Sequence, residues 1–73
     1  MPLTMFKVGA KARVMRVTGV DEARRHLSAL GFVPGIVVTI IQINDGNMII
    51  GLHDGRIALN ADTAKRVIAE PFE

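Results

Sequence analysis

One stretch, DEARRHLSALGFVPG from Asp21 to Gly35, constrains the fold more than any other part of the chain. It reads as a complete helix near Asp21–Leu30, followed by a sharp turn into a strand. The Asp21 carboxylate is placed to cap the helix by accepting from an orphan backbone N–H of the first turn. Glu22 adds negative charge where the helix dipole favours it. Ala23, Leu27 and Leu30 fall at i, i+4 and i+7 and so share one face. Gly31 suits the left-handed residue that ends a helix, and Phe32 can then fold back onto Leu27. Pro34-Gly35 suits a type II turn, with proline fixing one central φ and glycine supplying the positive one.

The remainder has the pattern of strand. Met1 to Val8 is a lead-in whose Leu3 and Phe6 can pack on the body, and Gly9-Ala10 marks a turn. From Lys11 to Thr18, Ala12 and Val14 alternate with Lys11 and Arg13. The parity then slips at Met15 and Val17, and a bulge near Met15 or Arg16 would restore the inward face. Ile36 to Ile43 is rich in β-branched residues and apolar on both parities. Asn44-Asp45-Gly46-Asn47 reads as a hairpin loop, Met48 to His53 as the returning strand, and Asp54-Gly55 as a type I′ turn. Arg56 to Leu59 is the next strand, and Asn60 can cap a single turn over Ala61 to Lys65. Val67 to Ala69 closes the order. The expected fold class is mainly β: a single domain over 1–73, an SH3-like barrel of about five strands with one short helix inserted after the first strand. Curling short strands into a barrel removes exposed edges.

A chain of 73 residues buries only about 60% of its unfolded surface, and this one has no cysteine to staple it. With three Phe and neither Trp nor Tyr, the core must be aliphatic. The formal charge is +2, but Lys7, Lys11, Arg13 and Arg16 all precede the first acid, Asp21. Two readings of that bias are open: a patch for phosphate-bearing partners, or the solvated face of a strand. The longest apolar run, Ile36 to Ile41, is far short of the roughly 20 residues a spanning helix needs. Met1 to Gly9 has no long apolar core of a secretory signal. The expectation is a soluble, cytoplasmic protein that does not insert into membranes.

Catalytic machinery is hard to find. Ser28, the single serine, sits mid-helix without a strand–turn–helix elbow. His26 lies two positions away, and such positions do not face each other on a helix. The glycines form neither GxGxxG nor a phosphate-binding loop. His26 and His53 are the only imidazoles, and His53-Asp54 offers two ligands where a stable metal site needs three or four. The expectation is therefore no enzyme, no cofactor and no tight metal site. The candidate partner surface is the helix and its exit: Arg24, Arg25, His26, Phe32 and Val33. It sets arginine and an aromatic beside an apolar tip, the composition interfaces favour. Arg24 also borders the apolar stripe, where it can instead cover the seam with its stem. The competing surface is the outer face of Ile36–Ile43, which leaves room for self-association.

In sum order and spacing the chain resembles the FeoA family, small cytosolic accessory proteins of bacterial ferrous iron uptake. Gly9 with Ala12, Val14 and Val17 is similar to that family's first strand. Arg24-Arg25, Leu27, Leu30-Gly31-Phe32 and Pro34-Gly35 are similar to its arginine-rich helix, Leu-Gly and Pro-Gly signature. Ile57-Ala58-Leu59 with Ala64 and Val67-Ile68 is similar to its closing segment. The loop Asn44–Asn47 is shorter than in many members and lacks their acidic-proline hairpin, and Leu59-Asn60 stands where Leu-Arg is common. The resemblance implies an SH3-like barrel and a binding or regulatory role. It implies as partner a FeoB-type membrane transporter with a cytosolic GTPase domain. Two other classes remain. One is a regulatory module like the C-terminal domain of iron-dependent repressors, although no helix-turn-helix is present. The other is a nucleic-acid-binding barrel, which the scarcity of aromatic stacking residues argues against.

Overall fold

The computed structural model describes residues 1–53 and 55–72. A 3-10 turn at Leu3–Met5 precedes β1 (Lys11–Val17), α1 (Asp21–Ala29), β2 (Val37–Asn44), β3 (Asn47–Leu52), β4 (Gly55–Asn60), α2 (Ala61–Ala64) and β5 (Val67–Pro71). The strands form one antiparallel sheet in the order β4-β3-β2-β1-β5. All five contribute to a single buried cluster: Ala12 and Val14, Val38 and Ile40, Met48 and Ile50, Leu59, then Val67 and Ala69. A sheet can bring one face of all its strands to a common centre only by curling, which makes it the barrel expected. Leu3 and Phe6 complete the core from the lead-in. The lead-in is tied to β5 by the Met1 amine donating to the Ala69 carbonyl at 2.6 Å and the Ala69 N–H donating to the Met1 carbonyl at 2.8 Å.

The barrel is less closed than its strand count suggests. Among the described residues no ladder joins β4 to β5, so these are the two ends of the sheet. The chain crosses this seam as α2, which packs against β3, β4 and the 3-10 turn. Asn60 caps that turn as its sequence position requires, its Oδ1 accepting from the Thr63 N–H at 2.8 Å.

Several local expectations meet the structure directly. The register of β1 on β5 jumps from Val14↔Ala69 to Arg16↔Ile68, so the bulge falls at Met15. It leaves Met15 exposed and turns Val17 onto the core. A second bulge, at Ile41, shifts β2 against β3. The β2–β3 ladder closes at Asn44↔Asn47, leaving only Asp45-Gly46 as the loop. Leu52 pairs with Gly55, so Gly55 already opens β4. Asp54, the other half of the anticipated type I′ pair, lies outside the described residues.

The capping expectation needs correction. Asp21 is the first residue of α1; Val20 occupies the cap position and contributes no side-chain bond. The Asp21 carboxylate instead accepts from Arg24, three residues on along the same face.

The helix C-terminus is built as its sequence implies. The Phe32 N–H donates to the Leu27 carbonyl at 3.1 Å and the Gly31 N–H to the Ser28 carbonyl at 3.0 Å. These are the paired bonds of a Schellman motif, with Gly31 at φ 110°. Leu27 and Phe32 are both buried in the core at its hydrophobic contact. The Ile36 N–H then donates to the Val33 carbonyl at 3.2 Å, and Gly35 takes φ 95°, as a type II turn through Pro34-Gly35 requires. Leu27→Ala should therefore destabilise the protein by about 2–5 kcal/mol, read by chemical denaturation. An unchanged midpoint would contradict the placement of the helix face.

Candidate functional site

The exposed surface of α1 follows from its amphipathic register. Leu27 is buried and Ala23 and Leu30 are half-buried, so the intervening positions Arg24, Arg25, His26 and Ser28 are exposed. Arg24 is held along the helix by its ion pair with Asp21. Among the described residues Arg25 has no ion-pair partner, and its guanidinium is available to a second molecule. Val33 stands 40% exposed at the exit, on a turn locked to β1. That lock is double: the Gly35 N–H donates to the Val14 carbonyl at 2.7 Å, and the Val14 N–H donates to the Ile36 carbonyl at 2.8 Å. The structure thus brings Arg24, Arg25 and His26 together on one helix and sets Val33 beyond its end.

Phe32 does not join them. It is 1% exposed and belongs to the core. The Schellman geometry that ends the helix directs its side chain back over Leu27, which removes it from any docking surface. The partner surface proposed from sequence therefore reduces to Arg24, Arg25, His26 and Val33.

The competing surface also changes. Val38 and Ile40 point into the barrel, while Val37, Thr39 and Ile41 face outward and are half-buried. These three form the middle of a shallow outer face. Lys11 of β1 is paired with Thr39, Thr39 with Gly51 of β3, and Gly51 with Arg56 of β4. Sequence reading singled out the strand but not this row, because the row depends on the register of three separate ladders.

Among the described residues no three His, Cys, Asp or Glu side chains come together as a metal-binding group. His26 lies on α1 and His53 beside the β3–β4 connection. No buried polar or charged side chain is found among them either. What the surface offers is charge and apolar contact on a rigid frame.

An antiparallel five-stranded barrel with one helix between its first two strands is an SH3-like domain. The chain belongs to the FeoA family, since the FeoA domain model matches residues 1–71. It is similar to a crystal structure of an iron uptake regulatory protein, FeoA, at 28% identity and TM-score 0.89, covering 99% of this chain and 96% of that one. It is also similar to Stenotrophomonas maltophilia FeoA complexed with zinc, described as a prokaryotic SH3 domain protein. There the identity is 28% and the TM-score 0.84, with 96% and 89% of the two chains covered. A manganese-dependent transcriptional repressor shares the fold at TM-score 0.89 and 14% identity. It covers 99% of this chain but 36% of that one, so the likeness is to one part of a larger protein. No curated protein matches the chain.

The two neighbouring exit residues give a direct test of this partition between core and surface. Phe32→Ala should cost about 3–5 kcal/mol, whereas Val33→Ser should stay within roughly 0.5 kcal/mol. Urea denaturation of both variants distinguishes them, and equal losses would refute the assignment.

Proposed function

We propose that this protein is a non-catalytic accessory of ferrous iron uptake that binds the cytosolic part of a FeoB-type transporter. Membership in the FeoA family supports the process. The Stenotrophomonas maltophilia relative, described as a candidate bacterial ferrous iron transport activating factor, supports the same role. No helix among the described residues is long and apolar enough to cross a membrane, which fits a partner acting on the transporter from the cytoplasm.

The observation that carries the contact surface is the exposure of Arg24, Arg25 and His26 on α1, with Val33 exposed beyond its C-terminal end. Arginine is enriched at interface hot spots because its planar guanidinium makes several directed bonds at once. Anchored on a helix whose other side is core, these groups have a backbone that is already ordered, so binding has only side-chain freedom left to remove. Arg25→Glu should leave the fold intact, within about 0.5 kcal/mol, yet weaken binding to the transporter's cytosolic domain and slow growth on ferrous iron. A folded Arg25→Glu protein that binds and supports uptake like the parent would remove the helix from the interface, and loss on Val37→Lys or Ile41→Lys would transfer the role to the sheet.

The reading also excludes tight iron capture by the accessory itself. Two separated imidazoles and no thiolate do not supply a structural metal site. Calorimetric titration with ferrous iron and with zinc should show no submicromolar, stoichiometric binding to the monomer. Such binding would instead make the protein a metal carrier or sensor.

The fold shared with the manganese-dependent repressor favours one second reading, a regulatory module that responds to a larger partner. It differs from the first in predicting no affinity for the transporter.

A further inference from the structure

The outer face of the sheet carries a second arrangement that the helix surface does not use. Lys11, Thr39, Gly51 and Arg56 lie directly opposite one another across β1, β2, β3 and β4. Neighbouring strands are about 4.8 Å apart, so three spacings separate the backbones of the two cations by roughly 14 Å. Between them stand a threonine and a glycine, so the row is high at both ends and low in the middle. Val37 and Ile41, two residues either side of Thr39 on β2, are half-buried and add aliphatic surface. The result is an open groove of about 710 Å³.

Gly51 keeps its floor low. A Cβ there would stand 2.8 Å from Ile41 Cδ1, closer than two carbons can approach. Ile41 therefore leans over the glycine, and any side chain at position 51 would displace it.

The banks of the groove are positive. Neither Lys11 nor Arg56 has an ion-pair partner among the described residues. Arg13, the next outward residue on β1, is already engaged: Glu70 of β5 lies 3.6 Å from its guanidinium, and the Phe72 ring 5.1 Å below it. Glu70 thus engages Arg13, and among the described residues no acid pairs with Lys11 or Arg56.

We infer that this groove binds an acidic, extended segment of a partner protein. Its carboxylates meet Lys11 and Arg56, and an aliphatic side chain between them rests on Thr39 and Gly51 against Val37 and Ile41. Charge complementarity sets the sign of the segment, and the aliphatic floor sets its anchor. A nucleic-acid strand is the poorer match: among the described residues no Phe, Tyr or Trp ring lines the groove to stack successive bases, and the His53 imidazole is a small platform for one. The groove lies on the sheet, apart from α1, and does not depend on the identity of the transporter partner.

The test uses random dodecapeptide display against the whole protein, followed by synthesis of the enriched peptides. The expected peptides carry carboxylates on both sides of an aliphatic residue. Their amide shift changes should centre on Lys11, Thr39, Gly51 and Arg56, and their affinity should fall with added salt. Lys11→Glu with Arg56→Glu should weaken binding by roughly tenfold or more at an unchanged thermal midpoint. If that pair fails to fold, Lys11→Gln with Arg56→Gln should weaken binding in the same direction. Arg25→Glu should leave it unchanged. Enrichment of peptides without acidic residues overturns the inference. So does binding indifferent to both charge pairs, a shift map on another face, or tighter binding of an oligouridine RNA to the same row.

Discussion

The structure depends most on how α1 is fastened to the barrel. Its last turn is closed by the paired bonds from Phe32 to Leu27 and from Gly31 to Ser28, and the same two apolar side chains, Leu27 and Phe32, are sealed in the core. Three residues further on, the chain is bonded twice to Val14 in the centre of β1. The helix cannot be displaced without opening both the core and the first strand. In a domain this small, where apolar burial is limited, one such joint governs a large share of the folded surface.

This joint separates the residues consumed by folding from those left exposed. Residues that close it, namely Leu27, Gly31, Phe32 and Gly35, are consumed by folding. Residues that alternate with them, Arg24, Arg25, His26 and Val33, are left outward on a support that is already ordered. No reactive centre is needed for such a protein to act. Its resource is a prearranged set of exposed groups, on the helix in one direction and on the outer sheet in another, which suits an accessory that works through contacts.

Much of the fold was legible because the signals are local. The Asn60 cap, the Pro34-Gly35 turn and the bulge at Met15 each follow from chemistry within a few residues. Asp21 was misplaced by one position, since an acid at the start of a helix serves equally as cap or as first residue, and here Arg24 holds its carboxylate. Phe32 was placed on the docking surface although the motif that folds it onto Leu27 was visible in the sequence; that contact buries it. The inward side of β2 could not be chosen from a strand apolar on both parities. Pairing with β1 and β3 decides it, and the bulge at Ile41 reverses the alternation beyond it. The same long-range register creates the row from Lys11 to Arg56, so no short window of sequence could reveal it.

Native-state hydrogen exchange at the Phe32 amide tests the central claim most directly, because that N–H makes one of the two bonds that close the helix and reports on its attachment. If α1 and the barrel are one unit, this amide exchanges only through global unfolding, with the same opening free energy as the Val14 amide in β1. Exchange of Phe32 through a local opening well below that of Val14 would show a helix that detaches on its own, and the prearranged surface would be lost with it.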